Sequence, residues 1–145
     1  MELPVRPITQ IIIHCSATKA NINVGVEDIR RWHRERGWSD IGYHFVIRRD
    51  GTCENGRLLV NPGAHTAGYN ANSVGVCLVG GLSDNMMPEA NYTPKQWVSL
   101  GRVVRELSRM FPQATVHGHK EFASKACPCF EVSPWWQGER KGDGR

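Results

Sequence analysis

The stretch Thr9-Gln10-Ile11-Ile12-Ile13-His14-Cys15 decides the fold class. Its three consecutive β-branched residues do not alternate with polar ones, so the segment suits a strand buried on both faces, inside a sheet covered by helices on each side. A histidine closes it. Working outward, Val26, Ile29, Trp32 and His33 recur at helical spacing, with Glu27 and Asp28 in the first turn and Gly37 after the last. Tyr43 to Arg48 reads as a strand, and Asp50-Gly51 as the turn of a hairpin into Thr52-Cys53-Glu54. A long loop rich in glycine and asparagine, from Asn55 to Asn72, precedes a second continuous apolar strand, Val74 to Val79.

Thr93-Pro94-Lys95-Gln96 carries a complete helix start: a hydroxyl cap, proline at the first helical position and glutamine where a capping box needs it. The helix that follows places Trp97, Leu100, Val103, Val104, Leu107, Met110 and Phe111 on one face and stops before Pro112. Ala114 to His117 reads as the last strand, and Ser133-Pro134-Trp135-Trp136 as a short closing helix that docks two indoles. Strands and helices interleaved in this order predict an α/β fold, a single domain with a central mixed β-sheet flanked by helices. The domain is expected over residues 1–137, followed by a disordered tail over residues 138–145.

Composition narrows function only partly. The 145 residues are 40% hydrophobic, enough for one core, and no stretch is long enough to cross a membrane, so no membrane insertion is expected. The first residues lack the apolar run of a secretory signal, and the five cysteines are an odd number, which together predict synthesis in a reducing cytoplasm without a disulfide framework. The formal net charge of +4 comes from scattered basic residues and modestly favours an anionic partner. No basic run singles out nucleic acid, and none is expected as a partner.

Two of the six histidines fall at strand ends, where open α/β sheets gather their ligands: His14 after the first strand and His119 after the last. Eight residues beyond His119 stands Cys127, within Lys125-Ala126-Cys127-Pro128. Two imidazoles and a thiolate suit Zn²⁺, which takes nitrogen and sulfur and leaves a fourth position to water in catalytic sites. Spacing alone leaves His117 as a second choice, because it lies two residues before His119 and shares its strand face. Cys15, Cys53, Cys77, His33 and His44 read as structural.

The segments Ile13-His14-Cys15-Ser16-Ala17-Thr18, Gly42-Tyr43-His44-Phe45, Gly63-Ala64-His65, Gly68-Tyr69-Asn70, Ser73-Val74-Gly75-Val76, Gly118-His119-Lys120-Glu121 and Lys125-Ala126-Cys127-Pro128 occur in a telling order. The chain resembles the zinc N-acetylmuramoyl-L-alanine amidases over roughly residues 8 to 137, and looks most like the T-odd phage lysozymes, which share the peptidoglycan-recognition-protein fold. The resemblance implies one Zn²⁺ per chain held by His14, His119 and Cys127, with Tyr43 and Lys125 as catalytic side chains and His65 and Asn70 lining the substrate groove. At the position of Cys129 the family usually has serine or glycine, and this departure makes Cys129 a competing sulfur or, on oxidation, a disulfide partner.

The implied substrate is bacterial peptidoglycan, cut between N-acetylmuramic acid and L-alanine by a monomeric endolysin that is made in the host cytoplasm and reaches the wall after release. A peptidoglycan-binding module without hydrolysis is the rival, which the presence of Cys127 disfavours. Some phage members of this family also bind and inhibit the phage RNA polymerase, so that enzyme is a further implied partner. A glycosidase would need two carboxylates flanking a sugar linkage, and none of the motif segments supplies such a pair.

Overall fold

The computed structural model describes residues 6–142. Along the chain run β1 (Gln10–Cys15), β2 (Thr18–Lys19), α1 (Val26–Glu35), β3 (Phe45–Ile47), β4 (Cys53–Asn55), β5 (Ser73–Leu78), β6 (Gly81–Leu82), α2 (Pro94–Met110), β7 (Thr115–Gly118) and α3 (Val132–Gly142). One-turn 3-10 helices occupy Asn70–Asn72 and His119–Glu121. The main sheet has the order β4-β3-β5-β1-β7. β1 lies between β5 and β7 and is parallel to both; β3 is parallel to β5, and β4 is antiparallel to β3, so the sheet is mixed as expected. β2 and β6 form a separate parallel pair, too short to leave a hydrophobic period in the sequence.

The isoleucine run is buried on both faces because successive side chains point to opposite sides of a strand. Ile11, Ile12 and Ile13 are all 0% exposed, each contributing roughly 1.5–3 kcal/mol by burial. Ile11, Ile13 and Cys15 pack with Leu100, Val104 and Leu107 of α2 and with Val132 and Trp136 of α3. On the opposite face Val26 and Ile29 of α1 pack with Val46, Cys77 and Val79. The helices therefore sandwich the sheet, and the free ends of β1, β5 and β7 point the same way.

The capping box of α2 forms as read: Thr93 Oγ1 accepts from Gln96 N at 3.1 Å, and Gln96 Oε1 accepts from Thr93 N at 3.0 Å. Gln96 is itself buried, and its Nε2 donates to the carbonyls of Ile47 and Val79, tying the start of α2 to the ends of β3 and β5. The hairpin also forms, with Gly51 at a φ of 89° and Asp50 Oδ1 accepting from Thr52 N at 2.9 Å. That left-handed φ is one that glycine adopts without steric cost.

Two boundaries differ by more than one residue from the sequence reading. The strand expected from Tyr43 begins only at Phe45, although His44 N still donates to Gly75 O at 2.9 Å alongside it. The closing helix does not stop at Trp136. It runs to Gly142, so residues 138–142 are helical where a disordered tail was expected, and Glu139 meets Arg105 of α2 at 3.0 Å. Trp136 is 4% exposed and fixes the helix to the core, which lets its last turns continue over α2. Residues 143–145 of the expected tail lie outside the described residues.

Candidate metal centre and its surroundings

Sheet register brings the first two groups together. Ile13 of β1 pairs with Gly118 of β7, so the next residues along these parallel strands, His14 and His119, emerge side by side with ring centroids 4.5 Å apart. Glu121 organises the turn that holds His119: its carboxylate accepts from Gly118 N at 2.7 Å and from His117 Nδ1 at 2.8 Å. His117 is thereby engaged with Glu121 and with Thr115 Oγ1, and stands outside the group that His14 and His119 begin.

The chain then leaves β7 and returns. Lys120 N donates to Cys127 O at 2.8 Å, closing the excursion, and Cys15 N at the tip of β1 donates to Cys127 Sγ at 3.0 Å. One ligand atom from each of His14, His119 and Cys127 lies within 4.8 Å of the others. Among the described residues this is the one group of three or more histidine, cysteine or acidic side chains so placed. Cys129 points elsewhere: its Sγ lies 3.4 Å from Gly81 O, and its backbone holds a φ of 75°. That left-handed conformation accounts for why glycine suits the position.

Protonation states match a metal site. Burial holds His14 well below the ordinary histidine range, with His65 and His119 adding to the effect. Burial, then the charge of Lys125, lowers His119. Both rings are therefore neutral near pH 7 and hold a lone pair for coordination. Without a cation, the side-chain hydrogen bond with the Cys15 thiol and then burial push the Cys127 thiol up, while the Cys15 amide acts in the opposite direction. A soft divalent cation fits this donor set, because it would displace the thiol proton, and the Cys15 amide already points at the sulfur that would carry the charge.

The remaining residues singled out in the sequence surround this group. The Tyr43 ring stacks obliquely on His14 at 5.1 Å, and burial, then nearby cysteines, hold its hydroxyl well above the ordinary range, so it stays protonated. Lys125 is exposed, in the loop between His119 and Cys127. His65 lies behind His14, 8% exposed, with its Nδ1 2.8 Å from His14 Nε2. Asn70 Oδ1 accepts from His65 N and Thr66 N, both at 2.9 Å, and so holds the loop that carries His65.

Sequence reading missed Thr66 and Ser73, which contact these histidines, and the Tyr69–Phe122 ring pair at 4.3 Å that joins the two loops beside the site. A threonine next to a histidine in a polar loop gives no sign that both will be buried. The two structural histidines behave as read: His33 Nδ1 accepts from Gly42 N, and His44 Nδ1 from Gly75 N.

A family model described as N-acetylmuramoyl-L-alanine amidase matches residues 4–130. The chain belongs to this amidase family. Among its relatives, the endolysin of Escherichia phage T7 is 51% identical over 127 residues, which are 88% of this chain and 84% of that protein. The solved N-acetylmuramoyl-L-alanine amidase LysC from Clostridium intestinale superposes with a TM-score of 0.73 at 32% identity, over 85% of this chain and 77% of that one. Drosophila PGRP-LB shares the fold as well, with a TM-score of 0.71 at 28% identity, over 88% of this chain and 78% of its own.

Proposed function

We infer that this amidase is an endolysin that hydrolyses the amide between the lactyl group of N-acetylmuramic acid and the first L-alanine of the peptide stem, using one zinc ion held by His14, His119 and Cys127. The observation that carries this reading is the convergence of two neutral imidazoles and one thiol within 4.8 Å in a chain of this family. Among the described residues no carboxylate joins that group, so the paired acids of a glycosidase have no counterpart in it.

An amide resists water because its carbonyl is weakly electrophilic and its nitrogen leaves poorly. Zinc, when bound, supplies Lewis acidity that polarises a carbonyl and makes water acidic enough to attack near neutral pH. The chain's own residues do the rest. Lys125 stands exposed next to this group and offers an ammonium to the oxyanion of the tetrahedral intermediate, an interaction whose loss typically costs about 10²–10³ in rate. Tyr43 keeps its proton at neutral pH, which suits a donor to the departing alanine nitrogen. Cys15 N donates to the Cys127 sulfur, a hydrogen bond that would become charge-assisted once a bound cation displaced the thiol proton.

Digestion of purified peptidoglycan tests the reading. New L-alanine amino termini are expected with no rise in reducing sugar ends, and chelation is expected to abolish the activity until zinc is restored. A rise in reducing ends, or release of other amino termini, would overturn the assignment of the bond.

A further inference from the structure

The metal reading above leaves open what fixes His14 itself, and the contacts behind it are unusual. His14 Nε2 lies 2.8 Å from His65 Nδ1, and His65 Nε2 lies 3.2 Å from Ser73 Oγ. Thr66 Oγ1 sits 3.3 Å from the same His14 nitrogen and 3.0 Å from His65 Nδ1. The four residues are 1%, 8%, 2% and 0% exposed, so no bulk water competes for these partners. We propose that the buried chain His14–His65–Ser73 fixes the tautomer of His14, so that Nδ1 is the metal-ligating nitrogen and His65 is a positioning residue for the metal centre.

The proton bookkeeping allows one order. A neutral imidazole has one N–H and one lone pair. Nε2 of His14 is occupied by His65, which leaves Nδ1 to face His119 and Cys127. A lone pair on Nδ1 requires the hydrogen on Nε2, and that N–H donates to His65 Nδ1. His65 must then carry its own hydrogen on Nε2, where it donates to Ser73 Oγ. The opposite order would put a hydrogen on His14 Nδ1 and leave no electron pair for a cation. Metal-bound histidines generally hand their second N–H to a carboxylate, a carbonyl or water. Here another imidazole takes that part.

The rest of the local structure is shaped around the His65 ring. A Cβ on Gly75 would lie 2.7 Å from its Cγ and Cδ2, and one on Gly63 would lie 2.6 Å from its Cδ2. Both contacts are closer than carbon atoms tolerate, so glycine at these positions gives the ring its room. Asn70 fixes the backbone of His65 from the other side. A residue that only filled a groove wall would need neither the two glycines nor the ordered partners.

The test is the affinity of the metal-free protein for Zn²⁺, measured by competition with a chromogenic chelator. Removal of a residue in this position typically weakens binding about 10- to 100-fold. His65→Ala is expected to fall in that range, and His65→Asn, whose side-chain oxygen replaces the Nδ1 acceptor, to recover most of the loss. Cobalt spectra of His65→Ala should show a disturbed ligand field, which simple destabilisation would not produce. Nitrogen NMR of zinc-loaded wild-type protein reads the tautomer without any mutation, and should find the His14 proton on Nε2. A proton on Nδ1, or wild-type affinity in His65→Ala, would overturn the proposal while leaving the metal site standing. Failure of wild-type protein to bind zinc would instead remove the metal reading on which it rests.

Discussion

Acidifying the metal-free protein from pH 7 to pH 5 should remove about 2 kcal/mol of its stability through His44 alone. His44 is 1% exposed; its Nδ1 accepts from Gly75 N at 3.0 Å, and its Nε2 meets Asn61 O at 2.9 Å, donating its one N–H there. Burial lowers its pKa to about 4, an effect that outweighs the Asn61 hydrogen bond, which acts in the opposite direction. In the unfolded chain the ring titrates near 6.5. Between these two values the unfolded state binds more protons, so stability is fully present above about 6.5 and is lost as pH falls toward about 4. At about 1.36 kcal/mol per unit the full gap is worth about 3 kcal/mol, of which about 2 is spent by pH 5. Urea unfolding in the presence of a chelator, at pH 7 and pH 5, gives the loss for wild type and for His44→Gln, whose amide keeps an acceptor and a donor but does not titrate. The wild type should lose about 2 kcal/mol more than the variant over that interval. Equal losses in the two proteins, or a His44 resonance that titrates near 6.5 in the folded state, would refute the reasoning.

Two further predictions concern the metal centre. Cys127→Ser should lose zinc in metal analysis, because serine oxygen is a poor substitute for thiolate, whereas Cys129→Ser should keep it; the reverse would move the ligand by two residues. Lys125→Ala and Tyr43→Phe should bind zinc and fold normally but lose mainly kcat in wall digestion, by about 10²–10³ for Lys125. A change confined to KM would make them substrate-binding residues instead.

Much of the architecture is legible in the sequence because single residues announce it. Thr93, Pro94 and Gln96 specify the start of α2, and the unbroken Ile11-Ile12-Ile13 specifies a strand covered on both faces. The convergence of His14, His119 and Cys127 was legible through motif order more than through spacing, since His14 and His119 meet only by virtue of the Ile13–Gly118 register. What stayed hidden depends on tertiary partners. β2 and β6 are two residues each and exist through one another. The helical ending of the chain depends on Trp136 finding the core and Glu139 finding Arg105. The resemblance offers His65 only as a groove-lining residue, and the space that Gly63 and Gly75 leave for its buried ring is visible only in the fold.

The placement of β1 in the sheet has a consequence for the birth of the enzyme. β1 precedes both of its neighbours, β5 and β7, so during synthesis it waits unpaired until Ser73–Leu78 and then Thr115–Gly118 have been translated. His14 cannot meet both His119 and Cys127 until Cys127 has left the ribosome. On the zinc reading proposed above, a nascent chain that stops short of that residue lacks the third donor and is expected to be inactive.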